Sequence, residues 1–178
     1  MSDTFITVVG IMLAVILLFV TPVIVTSQRV DDMSQLDVET LTSNFVDEIR
    51  VAGKLTLEKY NQFIEKLTST GNIYDVDIEI KILDENPGKK SLQTTTTKIG
   101  ENIYYSLYTT QIIDRLNTEK EFNLRNGDII SVTVRNTNKT IGQKLKDLTF
   151  KIVGNNNYTI NTTKSGLVFA NGDAESVF

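Results

Sequence analysis

From Phe5 to Val25 the chain reads FITVVGIMLAVILLFVTPVIV, without one charged residue. A helix rises ~1.5 Å per residue, so this run is long enough to cover the ~30 Å hydrocarbon core of a bilayer. A soluble helix of that length keeps a polar face, and this one has none. Gly10 and Pro22 are both tolerated within membrane helices. Only Met1 to Thr4 precede the run, so the basic segment that opens a cleaved signal peptide is not expected. The expectation is a single-pass anchor over residues 1–27 in contact with membrane lipid. Phe5, Gly10, Ala14, Phe19 and Pro22 are the residues expected to serve membrane insertion and packing. Gly10 and Ala14 have the spacing of a small-xxx-small helix contact.

The remainder is polar, and there is room for one domain with a core. Net charge is -4, so no broad positive field draws in nucleic acid. Cysteine and histidine are both absent. That excludes disulfides, thiolate sites, thiol nucleophiles and the commonest catalytic base. No phosphate-binding glycine loop, zinc-protease helix or nucleophile elbow occurs, so no enzyme activity, cofactor, metal or small-molecule substrate is expected.

Thr26 to Ala52 lacks Gly and Pro. Met33, Leu36, Leu41, Phe45 and Ile49 recur at near-helical steps, which predicts an amphipathic helix continuing the anchor up to Gly53. The stripe can pack on the chain's own domain or on another subunit, and the sequence leaves both open. Thr56 can cap a second helix that carries Tyr60, Phe63, Ile64 and Leu67 on one face and stops at Gly71. Residues 28–71 thus read as an amphipathic helix pair, and residues 72–178 as an α+β head.

Within the head, Tyr74, Val76, Ile78, Ile80 and Ile82 alternate with Asp75, Asp77, Glu79 and Lys81, predicting a strand with one buried face. Its three carboxylates read as a solvated sheet face, because a hard-cation site also needs loop carbonyls or further ligands. Residues 84–100 read as a loop or an edge strand. The stretch from Ile103 resembles a strand, and Thr110 to Leu116 a short helix. Asn126-Gly127 predicts a type I′ hairpin joining Phe122 and Leu124 to Ile130, Val132 and Val134. A helix over Thr140 to Phe150, a turn over Gly154 to Asn157 and a last strand near Tyr158 to Thr162 complete the head. Lys144 and Lys146 belong to a solvated helix face. Sequons at Asn138, Asn157 and Asn161 follow from a Thr- and Asn-rich composition.

The order of parts resembles pilin-like and pseudopilin-like proteins. The segments Phe45-Val46-Asp47-Glu48-Ile49-Arg50, Gly53-Lys54-Leu55-Thr56, Tyr60 to Phe63, Thr70-Gly71-Asn72-Ile73-Tyr74-Asp75-Val76 and Gly127 to Val134 resemble a TadE-like family. That family comprises membrane-anchored proteins of low-GC Gram-positive bacteria, in tight-adherence pilus or related secretion loci. The resemblance implies a head with an antiparallel sheet outside the cell membrane, possible incorporation in a surface filament, and lateral assembly through the N-terminal helix. It also implies self-association or contact with other pilus or secretion components. The expected role is a structural, non-enzymatic subunit. The alternative is a monomeric membrane-anchored binding or sensing domain. Type IV pilins place a glutamate inside the apolar helix, whereas Phe5 to Val25 has no acidic residue. Packing there would rest on shape and on Gly10 and Ala14.

Overall fold

A computed structural model describes residues 2–83, 104–140, 144 and 160–172. In chain order the elements are α1 (Ser2–Ala52), β1 (Lys54–Thr56), α2 (Leu57–Thr68), β2 (Tyr74–Leu83), β3 (Tyr104–Tyr108), α3 (Thr109–Glu119), β4 (Glu121–Asn123), β5 (Ile129–Asn136) and β6 (Asn161–Leu167). Four strands form an antiparallel sheet in the order β3-β2-β5-β6, and β1 pairs with β4 in a separate two-stranded ribbon. The layout is pilin-like: a long apolar N-terminal helix packs onto a small α/β head with a four-strand antiparallel sheet.

α1 is one helix of 51 residues. It passes from the apolar run into the head without a break, so the boundary at residue 27 divides composition and not structure. Gly53 ends it at φ 66, donating its N–H to the Ile49 carbonyl at 2.8 Å. That left-handed conformation is the usual glycine stop. Thr56 then caps α2, its hydroxyl accepting from the Lys59 N–H at 3.3 Å.

The alternation in β2 is realised. Val76, Ile78 and Ile80 are buried, facing Val134, Val132 and Ile130 of β5 in register. The second layer comprises the head-facing side of α1, together with α2 and α3. Val38, Phe45, Val46 and Ile49 of α1 meet Phe63 and Leu67 of α2, Ile112 and Leu116 of α3, and the inner sheet residues in one core. Phe45 and Phe63 stack face to face with ring centroids 4.1 Å apart. The helix pair over residues 28–71 therefore shares its core with the sheet.

Two expectations in the head need correction. Asn126-Gly127 does form a turn, with Asp128 N–H donating to the Arg125 carbonyl at 3.0 Å. Only Gly127 has positive φ, at 101, which fits a type II turn and not type I′. The arm carrying Phe122 pairs with β1, Leu55 opposite Phe122, and not with β5. The last strand is Asn161–Leu167, which shares Asn161 and Thr162 with the expected strand near Tyr158 to Thr162 and extends beyond it, while Tyr158 and Thr159 lie outside the described residues. The helix over Thr140 to Phe150, the loop over 84–100 and the turn over Gly154 to Asn157 lie outside the described residues.

Candidate functional site: the exposed faces of α1 and the sheet

No residue of the apolar run Phe5 to Val25 is buried. Phe5 is 70% and Phe19 67% exposed, and Ala14 and Pro22 are also exposed. A Cβ built on Gly10 meets nothing within 4 Å, so the helix is smooth and open at that point. Among the described residues this is the single apolar helix of membrane-spanning length, and it is N-terminal.

Beyond it the helix surface divides. At ~100° per residue, Asp31, Ser34, Val38, Thr42, Phe45 and Ile49 fall on one side and are buried against the head. Met33 and Leu36 fall on the opposite side, 65% and 63% exposed, with Val30 beside them. Leu41 is half-buried between the two. The stripe of Met33, Leu36, Leu41, Phe45 and Ile49 is therefore not one surface. Phe45 and Ile49 build the core, and Met33 and Leu36, nearer the apolar run, face away from the head.

Polar residues on the buried side join α1 to the sheet edge. The Gln35 amide donates to the Asn161 carbonyl and accepts from the Asn161 N–H, both at 3.1 Å. Arg50 Nε donates to the Leu167 carbonyl at 2.8 Å, while its guanidinium pairs with Asp47 and lies over the Phe169 ring. The Arg50 carbonyl accepts from the Phe169 N–H at 3.0 Å. Thr140 Oγ1 donates to the buried Asp31 carboxylate at 2.9 Å. None of these contacts is signalled by periodicity, because Gln35, Arg50 and Asp31 look like solvated positions in an amphipathic pattern.

On the far side of the sheet lies an open, polar depression of about 540 Å³, lined by residues including Asp77, Glu79, Tyr108, Ser131, Thr133 and Arg135. The β2 acids Asp77 and Glu79 have cross-strand partners: Arg135 lies 3.6 Å from Asp77, and Ser106 donates to Glu79 at 2.8 Å. Lys81 stands 3.9 Å from Glu79. Thr133 and Thr163 share a hydrogen bond across β5 and β6. A second open depression, near 600 Å³, lies between α2 and β4 and includes Glu58, Glu65, Glu119, Lys120 and Glu121. Among the described residues no three acidic side chains are grouped to hold a metal.

Asp128 is a buried polar group and Tyr60 a half-buried one. Asp128 accepts from the Leu83 N–H at 2.9 Å and from the Arg125 N–H at 2.8 Å, fixing the Asn126-Gly127 turn to the end of β2. Tyr60 on α2 has its phenol pushed above its ordinary value, first by burial and then by the nearby Asp75 carboxylate. The Asn138 side chain accepts from the Ile73 N–H at 2.8 Å, so that sequon residue is engaged in the fold.

Comparison with family models, curated proteins and solved structures finds no match to this chain.

Proposed function

We propose that this protein is a non-enzymatic structural subunit of a pilus-like or secretion-associated surface assembly, anchored by α1 with its head outside the cell membrane. The observation that carries the reading is the division of α1. Its first half is apolar on every side, and its second half is fixed to the head on one side only, leaving Val30, Met33 and Leu36 open. A helix built this way can insert in lipid and still offer a lateral face to a neighbour. The TadE-like sequence resemblance supports the same reading and supplies the outward orientation of the head. A helix continuous from the apolar run into the head core also favours a retained anchor over a cleaved signal.

The absence of cysteine makes the orientation directly testable. Ser165→Cys places a thiol on the exposed outer sheet face. Labelling of intact cells by a membrane-impermeant maleimide is the expected result. Labelling only after lysis, with a known surface thiol reacting beforehand, contradicts the outward orientation and the surface assembly with it.

A further inference from the structure

β6 and α1 run side by side in the same direction, tied at Gln35–Asn161 and at Arg50–Leu167. From Gln35 to Arg50 the helix rises ~22 Å, and from Asn161 to Leu167 a strand covers ~20 Å, so their axes are nearly aligned. Heights along α1 therefore transfer across the sheet. Asn161 stands opposite Arg135, and Arg135 opposite Asp75, which places that row at the height of Gln35. Ile73 and Thr137 lie one strand step pair lower, about 7 Å nearer the apolar run. The Thr140–Asp31 bond sets the same height independently.

By this measure Ile73 stands only ~8 Å beyond Val25 along the helix axis. A bilayer's headgroup region extends about 5–8 Å past the hydrocarbon on each side, and membrane helices tilt by ~20° on average. Ile73 is 66% exposed. It is also held rigidly. Its N–H donates to the Asn138 side chain at 2.8 Å, and its carbonyl accepts from Thr137 N–H at 2.9 Å and Thr137 Oγ1 at 3.2 Å. Gly71, at φ 83, turns the chain out of α2 just before it. An apolar side chain on a pinned tip, at headgroup height, has a ready occupant.

We propose that the tip formed by residues 70–73 and 137–138 is a membrane-contacting foot, with Ile73 inserted among the lipid headgroups of the bilayer that holds α1. The proposal rests on the anchor reading above. The foot gives the head a second contact with the membrane and fixes its rotation about α1. The Asn126-Gly127 turn, at the other end of the strands, then points away from the membrane.

The test uses the full chain, reconstituted in phosphatidylcholine–phosphatidylglycerol vesicles, with one environment-sensitive fluorophore on Ala14→Cys, Ile73→Cys or Ser165→Cys. Quenchers are carried either on lipid headgroups or at mid-acyl depth. At position 73, quenching from the headgroup quencher several-fold stronger than at position 165, with emission shifted to the blue, is expected. Equal quenching at 73 and 165, with position 14 still quenched from mid-acyl depth, overturns the foot and leaves the anchor standing. Loss of mid-acyl quenching at position 14 overturns the anchor, and the foot falls with it.

Discussion

Gln35 pairs with the backbone of Asn161 as a neighbouring strand would, its amide supplying one donor and one acceptor at 3.1 Å each. The outer edge of β6 would otherwise present unpaired backbone groups, the usual hazard of an edge strand. α1 covers that edge at both ends, with Gln35 near the apolar run and Arg50 near the far end.

Gln35→Ala should lower unfolding free energy of the reconstituted chain by about 1 kcal/mol, the typical net worth of such bonds. The urea midpoint should fall with an unchanged slope. A fall in slope would indicate instead that α1 separates from the sheet.

Close approaches of the backbone predict an ordered pair of glycine effects. Gly53 has φ 66, and a Cβ there meets the Ala170 carbonyl oxygen at 2.7 Å. Gly53→Ala should cost about 2 kcal/mol or more, because both the conformation and the contact resist it. A Cβ at Gly166 meets the Arg50 side chain first, and that side chain can swing aside at the loss of its bond to Leu167. Gly166→Ala should therefore cost less than Gly53→Ala in thermal melts.

Asp128→Asn tests the fixed turn. The carboxylate accepts two backbone N–H groups on two oxygens, and an amide can replace only one of those acceptors. A loss of about 1–3 kcal/mol is expected for the stranded donor. Faster amide exchange at Leu83 or Arg125 would locate it.

Tyr60 predicts a limit at high pH. Burial and Asp75 hold its phenol above its ordinary value of 10.0, so the folded chain keeps a proton that the unfolded chain releases. That contribution to stability is complete below pH 10 and is lost as pH rises through the elevated folded value. Tyr60→Phe should flatten this part of the decline in urea midpoint, compared with the parent chain at each pH.

Much of this architecture is legible in the residues. The uncharged run, the strict alternation in β2, the Thr56 cap and the Gly53 stop each follow from a local rule that tertiary contacts do not reverse. β6 is not legible in the same way. Its inward positions are Thr162, Lys164 and Gly166, without the apolar alternation that marks a strand. Gly166 leaves room for the Arg50 side chain, which lies directly over it. The pairing of β4 with β1 is equally hidden, since three-residue strands carry no usable period and their partners are far apart in the chain. The Met33 to Ile49 stripe is ambiguous in the sequence because helical steps alone do not say where the covering surface lies. The sheet and α2 together cover the arc through Val38, Thr42, Phe45 and Ile49, and leave Met33 and Leu36 outside it.

That division makes the mutational test of assembly specific. Phe45→Asp or Ile49→Asp should unfold the head, since each buries a charge in the core. Phe63→Ala, which removes the stacking partner of Phe45, should cost about 3–5 kcal/mol. Met33→Ala and Leu36→Ala should each leave head stability within about 0.5 kcal/mol, because neither side chain touches the core.

Cysteine cross-linking in cells tests the central claim of lateral assembly most directly. Met33→Cys and Leu36→Cys, oxidised in cells, should yield disulfide-linked dimers, while Ser165→Cys on the outer sheet face should remain monomeric. Monomer alone at positions 33 and 36, at the same expression level, would contradict assembly through this face of α1.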